Sequence, residues 1–119
     1  MTQLSPICNV FGQLHSAIGL QPVAAALCSG LGLNPEQVWI KRSSFDGIET
    51  LIIETDTCAL ESVPTKTSGA WLFNGAVEGT PEEIFETLLP IVQKLQSAGF
   101  SASFEICDAA FYLIGKCPR

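Results

Sequence analysis

The chain has 119 residues, 47% of them apolar and only 15% charged, with six basic against twelve acidic side chains for a formal charge of −6. That balance excludes disorder, which needs low hydrophobicity and high charge, and it lacks the basic footprint that nucleic acids and anionic membranes require. It predicts a single domain over residues 1–119 with a real core, and so little charge points to extra area buried in an oligomer.

The first segment, SPICNVFGQLHSAIGL, has two readings. It opens with a short strand over Ile7 to Phe11, or it is a helix capped by Ser5 with Pro6 at its first position. The helix is favoured, because Ile7, Phe11, Leu14 and Ile18 recur at spacings of four, three and four. Gly19 would end it. Pro22 then starts a second helix, PVAAALCSGLGL, whose termination is assigned to Gly30 and Gly32 ahead of Asn34-Pro35.

Residues 37–56, QVWIKRSSFDGIETLIIETD, read as a hairpin with a four-residue loop over Ser44 to Gly47. Ser43 opposite Ile48 sets the register, so Arg42 faces Glu49, Ile40 faces Leu51 and Val38 faces Ile53. Alternation puts all of these on one side of the sheet. The other side carries Trp39 against Ile52, Lys41 against Thr50 and Gln37 against Glu54, a mixed face with one apolar pair.

DTCALESVPTKTSG, residues 56–69, reads as the longest loop. A strand follows in AWLFNGAVEG, where Trp71, Phe73 and Val77 point one way. Gly75 interrupts it, and either a bulge or a close backbone approach is expected there. TPEEIFETLLPIVQKLQSAGF is a helix with Thr80 as N-cap, Pro81 at the first position and Glu83 completing a capping box. Ile84, Leu88, Ile91 and Leu95 form its apolar stripe, Gly99 its C-terminal cap, and Pro90 a point of kinking. FSASFEIC alternates cleanly, with Phe100, Ala102, Phe104 and Ile106 inward. The last run, AAFYLIG, is apolar on both sides, as a central or covered strand would be. Together these elements predict an α+β two-layer sandwich: a mainly antiparallel sheet of about five strands with helices on one face.

Chemistry is sparse. His15 is the only histidine, and in a helix Cys8 would lie roughly 10 Å from it, too far for a nucleophile–base pair. Glu82, Glu83 and Glu86 suit a helix N-terminus, and Asp46 and Asp108 suit turns. Glu54, Asp56 and Glu61 could meet near the long loop. GLGLN is neither a phosphate loop nor a dinucleotide fingerprint. The five cysteines, at 8, 28, 58, 107 and 117, contain no close pair for zinc or redox work, so no metal and no cofactor is expected. No secretory signal or span is read from the sequence, which suggests a reduced, cytoplasmic protein.

The order helix, three strands, helix, two strands in a small acidic chain resembles that of class I type III secretion chaperones. The likeness covers element order only, and the helix over Pro22 to Leu33 and the missing C-terminal helix depart from it. It implies a chaperone-like binding protein. GLNPEQVWI is similar to the helix-to-strand passage of tautomerase-like proteins, but Met1-Thr2 stands where their N-terminal proline base would be. The leading expectation is a protein-interaction or regulatory module, with Trp39, Lys41 and Ile52 contacting a second copy in a homodimer or another protein. The alternative is a small enzyme or ligand-binding protein with an unrecognised polar site. Thiol titration under denaturing, non-reducing conditions should count five thiols, and metal analysis should be blank. Stoichiometric zinc would overturn that reading.

Overall fold

In the computed structural model, which describes residues 7–118, the first segment is strand β1 (Ile7–His15) rather than a helix. Cys8, Val10, Gly12 and Leu14 are buried, while Ile7, Phe11, Gln13 and His15 are exposed. The helical spacing of Ile7, Phe11 and Leu14 loses to pairing along both edges of the strand, a tertiary override of local preference. The cap assigned to Ser5 and Pro6 lies outside the described residues, as does Met1-Thr2.

The chain continues through α1 (Gln21–Leu31), β2 (Val38–Arg42), β3 (Glu49–Glu54), β4 (Cys58–Pro64), β5 (Ala70–Glu78), α2 (Pro81–Ser97), β6 (Ser101–Cys107) and β7 (Leu113–Cys117). Its seven strands form one antiparallel sheet in the order β2-β3-β4-β5-β1-β6-β7. The protein is therefore α+β, with two helices among the described residues. Two strands beyond the expected five arise because β1 reads as helix and β4 as loop. The same correction removes the element order on which the secretion-chaperone resemblance rested, since the described residues open on a strand and carry four strands between their helices.

Strand β4 is hidden in the sequence because its buried row is Cys58, Leu60 and Ser62. Ser62 earns its burial by accepting the Leu51 N–H on Oγ at 2.9 Å. A side chain thus continues the β3–β4 contact past the last paired residues, Ile52 and Glu61. Of the expected loop only residues 56–57 and 65–69 lie outside strands, and the second piece is tied by the Thr65 hydroxyl, which donates to the Ala70 carbonyl at 2.8 Å.

Hairpin β2–β3 has the expected register throughout, from Val38 opposite Ile53 to Arg42 opposite Glu49. Gly47 turns it at a φ of +72°, and the Arg42–Glu49 ion pair spans 3.8 Å at the rim. Helix α2 starts as its sequence dictates. Thr80 Oγ1 accepts from Glu83 N–H, and Glu83 Oε1 accepts from Thr80 N–H. Gly32 ends α1 in the left-handed region. Gly30 does not terminate the helix: it sits in the last turn, where a Cβ would come within 2.8 Å of the Lys94 stem crossing from α2.

Val23 and Leu27 of α1, the Ile84-Leu88-Ile91-Leu95 stripe of α2, and one parity of residues along the sheet share a single buried cluster. Two glycines let its strands close up. Gly12 faces Phe73 on one side and Phe104 on the other, and the two rings meet 5.8 Å apart over the space a side chain would fill. Gly75 is a close approach and not a bulge, because its pairing with β4 and β1 is unbroken. A Cβ there would strike the carbonyl of Ala59. Gly75→Ala is expected to cost about 3 kcal/mol or more in urea unfolding, since backbone must move. Gly115→Ala, where the added carbon meets Ile106 at an ordinary 3.6 Å, should cost about 1 kcal/mol or less. Equal costs would contradict the packing.

Candidate functional site

The sheet side opposite the buried cluster is where a site would have to be assembled. Pairing carries one row of side chains across all seven strands: Trp39, Ile52, Glu61, Asn74, Phe11, Glu105 and Lys116. Apolar residues stand at intervals along it and beside it. Phe11, Val63 and Leu72 are exposed, and Trp39 and Ile52 are half-buried.

Of the residues singled out from the sequence, Trp39 and Ile52 are direct cross-strand partners and Lys41 faces Thr50 one step along. Directly opposed side chains in such a pair stand ~5 Å apart at Cβ, close enough for an aromatic and a β-branched side chain to interact. Trp39 belongs neither to the buried cluster nor to the half-buried residues packed against it. Lys41 and Arg42 border a depression of about 500 Å³ that also reaches Ile52 and Glu61.

Two residues that the sequence did not point to join this side. Phe11 sits in mid-row, and Phe111, in the turn before β7, brings its ring to 6.3 Å from that of Phe11. The alternation of β1 would have exposed Phe11. Phe111 could not be placed without knowing that β1 lies beside β6. A depression of about 430 Å³ opens next to Phe11, between Asn74, Glu105 and Lys116.

The cysteine and histidine considered for catalysis stay apart. In strand β1 the seven steps from Cys8 to His15 span roughly 23 Å, and the two side chains point to opposite sides. His15 lines neither of these depressions nor the one between them. Glu54 and Glu61 lie on one side of neighbouring strands, diagonal to each other across the Ile52–Glu61 pair. No group of three His, Cys, Asp or Glu among the described residues is placed to hold a metal ion, and no described helix is long and apolar enough to cross a membrane.

All five cysteines fall within the described residues and none is in a disulfide. Burial raises the Cys8 thiol above its usual range, helped by Asp108 and Cys107 nearby. At the capping box the opposite happens: hydrogen bonds from Thr80, backbone first and then side chain, lower the Glu83 carboxyl.

No protein-family model matches the chain, and no curated protein or solved structure matches it significantly.

Burial alone pushes the Cys58 thiol from 9.0 up to about 11. A folded value above the unfolded one contributes stability that is complete below the unfolded value and is lost as pH rises through the folded one. Stability should therefore fall between pH 9 and 11, by about 2–3 kcal/mol from this group. Cys58→Val, which keeps the volume and removes the thiol, should flatten that part of the urea-midpoint profile. An unchanged slope would show that other groups carry it.

Proposed function

We propose that this chain is a non-enzymatic protein-interaction module, cytoplasmic and homodimeric, that docks another protein on the outer side of its sheet around Trp39, Lys41 and Ile52. On this reading both helices lie on the core side, which leaves the outer side to a partner. The observation that supports it is the Trp39–Ile52 pair outside the core. Covering such a pair contributes about 1.5–3 kcal/mol per large side chain, and tryptophan is enriched among residues that dominate protein interfaces.

The charge beside the pair suggests what kind of surface fits. Lys41 and Arg42 are the only adjacent basic residues in a chain of net charge −6. Arg42 points to the other side and is paired with Glu49, whereas Lys41 shares the side of the pair. A cation next to an aromatic anchor suits an acidic segment of the partner, which such charge would steer and orient. The reduced thiols agree with a cytoplasmic setting.

The test is a photo-crosslinking amino acid at position 41, with a control at exposed Gln93 on α2. Position 41 should give a protein adduct in cells and position 93 should not. Trp39→Lys should suppress the adduct while the melting temperature stays within about 3 °C of wild type. The reading fails if both positions crosslink alike, or if Trp39→Lys unfolds the chain, because Trp39 would then be a core residue.

A further inference from the structure

The run AAFYLIG, apolar on both sides, should be covered on both sides, and within one chain it is not. The structure makes its second half the outermost strand, β7, paired with β6 along one edge only. Phe111, Tyr112, Leu113 and Ile114 keep 67, 71, 51 and 41% of their surface exposed. No strand among the described residues lies beyond β7, so its outer edge presents backbone donors and acceptors that another strand can satisfy.

Two features separate this edge from the opposite one. Strand β2, at the far end of the sheet, finishes in Lys41 and Arg42, charges of the kind that keep edge strands from pairing. Strand β7 has one charge, Lys116, and it faces Glu105 within the sheet. The other feature is the turn that leads into β7. Asp108 Oδ1 accepts from the N–H groups of Ala110 and Tyr112 at 2.9 and 3.0 Å. The Asp108 N–H also donates to the Tyr112 carbonyl at 3.0 Å. These bonds hold Phe111 at a φ of +67°, a left-handed conformation that bulky side chains rarely adopt. Local strain of this sort persists where the surroundings enforce it, and it points to function at the residue so held.

We propose that β7 pairs with β7 of a second copy, antiparallel about a two-fold axis, so that the two sheets run on as one. A register centred on Ile114 sets Ile114 against Ile114 of the copy, Leu113 against Gly115 and Tyr112 against Lys116. No like charges are opposed, and Lys116 gains an aromatic neighbour. The sense of pairing is that of every ladder already in the sheet.

Area favours a second copy over a short foreign strand. The four residues hold on the order of 400 Å² of apolar surface per protomer, given 150–250 Å² for each fully exposed aromatic side chain. That is about half of the roughly 800 Å² per partner of a standard interface, and the paired backbone edges add to it. A two-fold contact also puts both copies of the patch into one interface, as isologous dimers do. The pairing is independent of whatever docks near Trp39, at the other end of the sheet.

Sedimentation in reducing buffer tests the dimer, and an introduced cysteine tests the register. Wild type should sediment at twice its 12.7 kDa mass. Ile114→Glu, which sets two carboxylates face to face across the axis, should weaken the dimer at least about 30-fold while the circular dichroism spectrum is kept. Ile114→Cys should form a disulfide-linked dimer on mild oxidation, because directly opposed strand residues lie within disulfide reach. Ser68→Cys in the β4–β5 loop should not. Trp39→Lys should leave the dimer intact. The proposal is overturned by a wild type that stays monomeric at high concentration, by a dimer that survives Ile114→Glu, or by Ile114→Cys failing to link. A dimer lost through Trp39→Lys alone would also overturn it and move the contact to the other end of the sheet. Should Ile114→Glu misfold, the Ile114→Cys result decides.

Discussion

Among the described residues, strand β1 is the only bridge between two otherwise separate pieces of sheet, the β2–β5 meander and the β6–β7 hairpin. Its fit between β5 and β6 depends on a missing side chain. At Gly12 a Cβ would come within 2.5 Å of the Phe104 ring and 2.6 Å of the Phe73 carbonyl. Because that space is empty, the rings of Phe73 and Phe104 pack on each other across the strand and tie the two pieces through the core. Stacking of neighbouring aromatics over a sheet glycine offsets the weakness glycine brings to a strand interior. Remove β1, and the buried faces of both pieces lose their continuity.

That bridge also decides what the outer side looks like. With β1 in place, Phe11 stands in the middle of the row that begins at Trp39 and ends at Lys116. The β6–β7 turn then comes within reach of it, and Phe111 can settle against Phe11. The apolar character of the outer side is therefore not a property of one hairpin. It is distributed between two ends of the sheet, one anchored by Trp39 and guarded by cations, the other unguarded and ending in an edge strand. Two ends with different chemistry suit two different contacts, which is why a single patch need not explain all the exposed apolar surface.

Much of this was readable in the sequence where the signals were local. The β2–β3 register followed from Asp46-Gly47, from alternation and from the opposite charges of Arg42 and Glu49. The start of α2 followed from Thr80, Pro81 and Glu83. The Trp39–Ile52 pair came with the hairpin. What escaped were elements whose state is decided by distant neighbours. Strand β1 has a helical spacing in Ile7, Phe11 and Leu14, and its strand character comes from residues 70–78 and 101–107. Strand β4 buries Ser62, whose polarity makes the row look like loop until Leu51 is seen donating to it. Strand β7 looked central because its apolar residues had no other explanation. Its edge position follows from the strand order, which periodicity does not encode. The contact of Phe111 with Phe11 escaped for the same reason.

The position of β1 also sets a timetable. Its partners are far along the chain: Phe11 pairs with Asn74 on one side and with Glu105 on the other. Ladders between such distant residues require large loops to close before any contact rewards them, and folding dominated by such pairings is slow. During translation β1 leaves the ribosome ahead of both neighbours, with two open edges and an alternating apolar row of Cys8, Val10 and Leu14. The meander from β2 to β5 can assemble early from hairpin pairings between consecutive strands. The strand that unites the molecule must wait, unpaired on at least one side, until β6 has been made. In the nascent chain β1, fifth of seven across the sheet, is thus the strand edge that stays open longest to misassociation.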